Sequence, residues 1–213
     1  MKKRLNQIGI KFFMLILFFS LADSIFAQNL DERPAFQYFN KTEGNIGIGF
    51  GSFKGDIDTN HIQKKIKNDQ IIVSVQTING VCISGRFGLG AGIGAEFWHK
   101  GMFYPVFLHL YYDFKNEEST PFAFLNIGKA FGTRDSTYYY HKGTGGTLFS
   151  IGAGYKMKVG KRFQFEYALF YRYQAILSTF QTEYVSNGDV HRSTTDYKVP
   201  YNFGGFRIAI LFR

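Results

Sequence analysis

The chain has 213 residues, 25 Lys and Arg against 16 Asp and Glu, one cysteine, and 19% aromatic residues. That length allows one domain, and the lone Cys82 excludes an intrachain disulfide. The basic excess is spread out with no polybasic run, which excludes a nucleic-acid arm and favours anionic lipid or surface polysaccharide as partner.

The N-terminus carries Lys2, Lys3, Arg4 and Lys11, then the apolar block Phe12 to Ala22 and the small residue Ala27. Eleven apolar residues are too few for a membrane-spanning helix, which needs ~20. The pattern predicts a secretory signal peptide over 1–27, with a mature chain from Gln28. Removing 1–27 takes four basic residues and Asp23, so 21 basic and 15 acidic residues remain, net +6. No cysteine follows the signal, so no lipid anchor is expected there. Residues 28–43 read as an N-terminal periplasmic lead, and 44–213 as a β-barrel.

From there the dominant period is two. Strands are expected near 45–54, 70–82, 87–98, 104–114, 121–132 and 146–157, then over 163–174 and 206–212. The clearest is Phe163 to Gln174. Phe163, Phe165, Tyr167, Leu169, Tyr171 and Tyr173 alternate with Gln164, Glu166, Ala168, Phe170, Arg172 and Gln174. Likewise Val106, Leu108, Leu110 and Tyr112 oppose Phe107, His109, Tyr111 and Asp113, and Phe206, Ile208, Ile210 and Phe212 oppose Arg207 and Ala209. No mature segment has helical apolar spacing; 61–69 could make a helical turn at most.

Within the third strand, Gly90-Ala91-Gly92-Ile93-Gly94-Ala95 spells G-x-G-x-x-A, with Asp113 about twenty residues on. A dinucleotide turn needs a helix directly after it, since the helix N-terminus helps bind the pyrophosphate. The next residues are instead aromatic, then Gly101 and Pro105. The glycines therefore read as one face of a strand, and no cofactor is expected.

Connections alternate between short polar turns (84–86, 115–120, 158–162) and longer loops (55–69, 133–145, 181–200), with 99–103 as an exception. This asymmetry fits an outer-membrane barrel with short periplasmic turns. The more polar face carries Gly47, Gly49, Gly51, Gly88, Gly90, Gly92, Gly94, Gly152 and Gly154, a poor choice for a solvated exterior. A narrow interior uses glycine to make room, so the apolar face is assigned to lipid. Phe97, Trp98, Phe103, Tyr104, Tyr171 and Tyr173 at one end, and Phe114, Phe122, Phe163 and Phe212 at the other, would form interfacial girdles.

The segments FGLGAGIGAEF, YPVFLHLYYDF, PFAFLNIGKAFG, FSIGAGYKM and NFGGFRIAILFR, in that order, resemble the small outer-membrane β-barrels common in Bacteroidetes, similar to the eight-stranded OmpA and OmpX type. The resemblance covers about 44–213. It implies an all-β, eight-stranded, antiparallel up-and-down transmembrane barrel in the bacterial outer membrane, with a filled polar interior and no fixed activity. Arg213 after Phe212 departs from the usual aromatic C-terminal residue.

On this face assignment Glu96, His109, Asp113, Glu166, Arg172 and Arg207 point inward, where charges must pair. A structural polar core is the expected role, a narrow small-solute path the alternative. His61, His99, His141 and His191 fall in external loops without metal-ligand spacing, so no metal site is expected. A lipid-modifying enzyme, by acyl transfer or hydrolysis, would need a rim nucleophile. Asp135, Ser136 and His141, or Ser186, Asp189 and His191, form no recognisable motif for it. The leading expectation is a non-enzymatic envelope protein that contacts lipid and lipopolysaccharide and presents loops to an envelope or extracellular protein. Tyr138, Tyr139, Tyr140 and His141 are the candidate binding segment.

Overall fold

A computed structural model describes residues 36–56, 63–83, 85–98, 101–115, 117–132, 141–143, 145–160, 162–186 and 189–212. The chain divides into Met1–Pro34 and Ala35–Arg213, and the described residues all belong to the second unit. The expected signal peptide and most of the expected lead lie outside the described residues, as do Asp135, Ser136, Tyr138, Tyr139, Tyr140, His61 and His99.

Every regular element among the described residues is a strand: β1 (Phe36–Phe50), β2 (Ser52–Asp56), β3 (Gln63–Lys67), β4 (Ile71–Ile83), β5 (Phe87–Trp98), β6 (Gly101–Asp113), β7 (Thr120–Gly132), β8 (His141–Gly143), β9 (Gly145–Lys158), β10 (Phe163–Ser186) and β11 (Asp189–Phe212). Eight of them, β1, β4, β5, β6, β7, β9, β10 and β11, pair antiparallel with their neighbours, and β11 closes onto β1. The fold is thus a closed eight-stranded antiparallel barrel.

The stagger follows from the register. From Asn40 on β1 the partners run Asn79, Ala91, Leu108, Ile127, Phe149, Tyr173 and Asn202. Asn202 then pairs with Phe50, ten residues above the start. Such a displacement over eight strands tilts them by about 40° and leaves an interior just wide enough for side chains.

Alternation places the faces. Ile46, Ile48, Val73, Val75, Leu89, Val106, Leu108, Ile151, Leu169, Ile208 and Ile210 are exposed on the outer wall. The inner wall buries Phe39, Ile78, Phe107, Tyr111, Phe122, Phe124, Phe170, Phe203 and Leu211. An exterior this apolar exceeds what a water-facing monomer tolerates.

The inward glycines admit these rings. A Cβ on Gly88 would collide with the Tyr111 ring, and one on Gly92 would collide with Phe107. Gly152 similarly makes room for Phe124, and Gly205 for Phe170. Each ring belongs to the register partner on the next strand, so a thin residue opposes a thick one across every such rung.

Several expectations need correction. The first strand begins at Phe36, not near 45, so residues 36–43 belong to the barrel wall. Where 61–69 is expected to make a helical turn at most, the described residues 63–67 form strand β3, paired with β2. Gly51 is exposed at φ 84 just past β1, where the chain kinks into β2, and does not line the interior. Trp98, Phe103 and Phe122 are not girdle residues. Phe103 and Phe122 are buried inside, and Trp98 packs against that core.

Of the expected loop 181–200, residues 181–186 and 189–200 are strand, because β10 and β11 stay in register up to the pair Ser186↔Asp189. The pairing of β10 with its other neighbour runs along β9 to Gln174↔Leu148 and resumes on β8 at Ser178↔Gly143, and Gly145 takes φ 90.

Candidate functional site: a charged plug in the barrel interior

Eight buried side chains carry formal charge among the described residues. Lys41, Lys156, Arg172 and Arg207 balance Glu43, Glu96, Asp113 and Glu166. All sit at inward positions of β1, β5, β6, β9, β10 and β11, and they form three tiers along the barrel axis.

The lowest tier, nearest the short turns, is one pair. Lys156 Nζ donates to Asp113 Oδ2, and the same ammonium lies 5.5 Å from the Tyr111 ring centroid. Lys156 is in register with Glu166 on the adjacent strand, yet it reaches across β7 to β6.

The middle tier centres on Lys41. Its Nζ lies 2.8 Å from His109 Nε2, 3.4 Å from Glu166 Oε2 and 3.8 Å from Glu43 Oε2. A charged ammonium can only donate, so Nε2 accepts and the imidazole proton sits on Nδ1. Nδ1 then donates to Asn126 Oδ1 at 2.6 Å. Arg207 has NH1 3.2 Å from Glu43 Oε2 and NH2 3.7 Å from Glu166 Oε2, but none of its nitrogens makes an aligned hydrogen bond. Its guanidinium carbon instead lies 3.5 Å from the Phe124 ring centroid. Charge attraction and ring stacking hold this arginine.

The upper tier spans the full diameter. Arg172 on β10 donates through NH2 to Glu96 Oε2 on β5, four strands away in either direction. Arg172 Nε and NH2 also donate to Gln174 Oε1, at 3.1 and 2.7 Å. The other oxygen of Glu96 accepts from Trp98 Nε1 at 2.5 Å. Above this pair Trp98 packs on Phe103, Tyr201 and Phe203, with ring centroids 4.9, 5.1 and 5.0 Å away.

Between the upper two tiers Asn45 Nδ2 donates to Ser74 Oγ at 3.0 Å, and Gln76 Nε2 donates to the same oxygen at 3.3 Å. A cavity of about 10 Å³ adjoins them, lined by residues that include Glu43, Asn126, Ser150 and Arg172. That is room for about one water molecule. Such an interior can hold charge in place and fix strand register.

All six interior candidates, Glu96, His109, Asp113, Glu166, Arg172 and Arg207, are buried here. Glu96 meets Arg172, Glu166 approaches Arg207, His109 meets Lys41 and Asn126, and Asp113 meets Lys156. The partners of those last two, Lys41 and Lys156, were not among the candidates, nor was Glu43. Lys156 was legible as an inward residue opposite Tyr155. Lys41 and Glu43 were not, because the outward positions beside them are Asn40, Thr42 and Gly44, which hide the apolar alternation. The side chains of Ser186, Asp189, His141 and His191 fall outside the described residues.

No family model and no curated protein matches the chain. Among solved structures it is similar to the outer-membrane protein OprG of Pseudomonas aeruginosa, with TM-score 0.54 and 11% identity over 83% of this chain and 96% of that one. AlkL, solved in lipid bilayers, aligns at TM-score 0.47 and 11% identity, covering 88% of this chain and 94% of its own. Neisserial surface protein A aligns at 0.48 and 11%, covering 83% and 99%. At that identity the likeness to OprG is one of fold, a closed barrel of the outer-membrane type.

Proposed function

We propose that this chain is a non-enzymatic integral outer-membrane protein, whose plugged barrel is a mount for an external binding hairpin. The carrying observation is the extension of β10 and β11. Their pairing continues for twelve rungs, from Ala175↔Pro200 to Ser186↔Asp189, past the last rung that ties β11 to β1 at Phe50↔Asn202. At ~3.3 Å per residue, twelve rungs reach about 40 Å. The apolar outer wall supports insertion in a bilayer, since its exposed aliphatic residues would meet acyl chains. Short turns join the strands at the opposite end, which orients the hairpin to the cell exterior.

The interior supports a mounting role over transport. Three tiers of paired charge leave a cavity of only about one water beside them. The partners of this reading are lipopolysaccharide around the rim and an envelope or extracellular protein on the hairpin. The tyrosines at 138–140, between β7 and β8 in the sequence, are the proposed amphipathic contacts for such a partner. The order of the glycine-rich strand motifs supports grouping the chain with the small Bacteroidetes-type barrels.

Surface display is testable with a single cysteine, because Cys82 is buried and silent. The variant S186C should react with a membrane-impermeant maleimide on intact cells, whereas the wild type should not. Labelling only after cell lysis would overturn the orientation. Lipid A mass spectra of a deletion strain should match those of the parent; a lost or new acyl species would instead establish an enzyme.

A further inference from the structure

The outer wall carries an uncharged polar island on β1 and β4, distinct from the outward pair Lys129↔Thr147 of β7 and β9. On β4 the outward residues run Ile83, Val81, Asn79, Thr77, Val75, Val73 and Ile71, so an amide and a hydroxyl sit with apolar residues above and below. Their register partners on β1 are Asn40 and Thr42. Beyond these lie Phe212 and Ile210 on β11, and Ala91 and Ile93 on β5. The island is thus bordered by apolar side chains on β11 and β5 and by Val81 and Val75 along β4, and on β1 by Gly44 and by Tyr38, whose hydroxyl joins it.

Its internal bonding is incomplete. Tyr38 Oη and Asn40 Nδ2 both donate to Asn79 Oδ1, at 2.5 and 2.7 Å. Asn79 is exposed, and its own amide nitrogen donates to nothing among the described residues. Acyl chains accept no hydrogen bonds, so an outward amide and two hydroxyls at this position carry a desolvation cost that a barrel wall normally avoids.

We propose that this island is the contact through which two copies of the chain pair in the membrane. The inference rests on the outer-membrane reading of the chain. Three features favour a second copy over other occupants. The group carries no formal charge, since Lys41 and Glu43 alternate to the interior, so it offers no ion pair to a phosphate or a basic partner. Its amides and hydroxyls each donate and accept, so a two-fold axis through Asn79 makes the surface complementary to itself. Gly44 and Ala91 border it, and small residues let two backbones approach until such groups bond.

The test uses the full-length protein in native outer membranes. A91C places a thiol beside Asn79 without altering the island, and a short bis-maleimide should join two chains into a species of twice the mass. L108C, one strand further round the wall, should cross-link much less. Adding N40L and N79L to A91C should lower the yield about tenfold, with the heat-dependent gel shift of the folded barrel unchanged. An A91C protein that keeps that shift but stays monomeric overturns the pairing while the membrane reading stands. Loss of the shift, with protein in the soluble fraction, overturns the membrane reading itself. An adduct with a different protein, or a monomer that retains phospholipid in native mass spectrometry, overturns the second copy as occupant.

Discussion

Glu96 shows at single-residue scale why the interior is charged yet stable. One oxygen takes the Arg172 guanidinium from across the barrel and the other takes the Trp98 indole, so the buried carboxylate has both its charge and its lone pairs answered. Removing only the negative charge leaves Arg172 buried beside a neutral amide, which costs more than removing both charges. E96Q should lose about 3–5 kcal/mol of unfolding free energy, while E96Q/R172M should lose less. Urea unfolding in vesicles measures this through Trp98, the only tryptophan. A double variant no more stable than the single would show that this pair does not carry the upper tier. Sequence marked both residues as inward but could not pair them, because their strands lie opposite each other and only the stagger sets their common height.

Thin and thick rungs govern the packing at element scale. β5 supplies Gly88, Gly90 and Gly92 to the interior, and β6 fills that space with Tyr111, His109 and Phe107 from the partner positions. A G88A methyl group would overlap the Tyr111 ring, which is itself packed edge-on against Phe39 at 5.3 Å. The expected loss is about 1–3 kcal/mol, largely recovered in G88A/Y111L, read from the same urea midpoints. If G88A matched the wild type, the glycine face would have no packing role. This glycine face was fully legible in the sequence, since period two and the absence of a helix after it fixed it as a strand. The start of β1 was not. Its inward Phe39, Lys41 and Glu43 alternate with Tyr38, Asn40 and Thr42, so a scan for apolar alternation passes over it. The same polar outward face carries the proposed dimer contact. The ribbon of β10 and β11 was missed for a related reason, as Ser, Thr and Gln beyond Ile176 lack an apolar face, and it is the pairing of one strand with the other that extends them.

Across the whole molecule, closure with a ten-residue stagger brings inward side chains of opposite strands into one narrow lumen. The four buried cations and four buried anions among the described residues compensate one another, so they leave no net charge to draw ions through. A purified barrel in planar bilayers should therefore show no steady single-channel current. Regular open steps in the wild type would show that the tiers part and would favour the pore reading.

The sequence alone determined the fold class, the faces of most strands and the glycine wall, because a period of two is a local property written into neighbouring residues. Only the tertiary structure decided which charges meet, where β1 begins and how far the last hairpin reaches. Those depend on register around a closed ring, where each partner lies dozens of residues away.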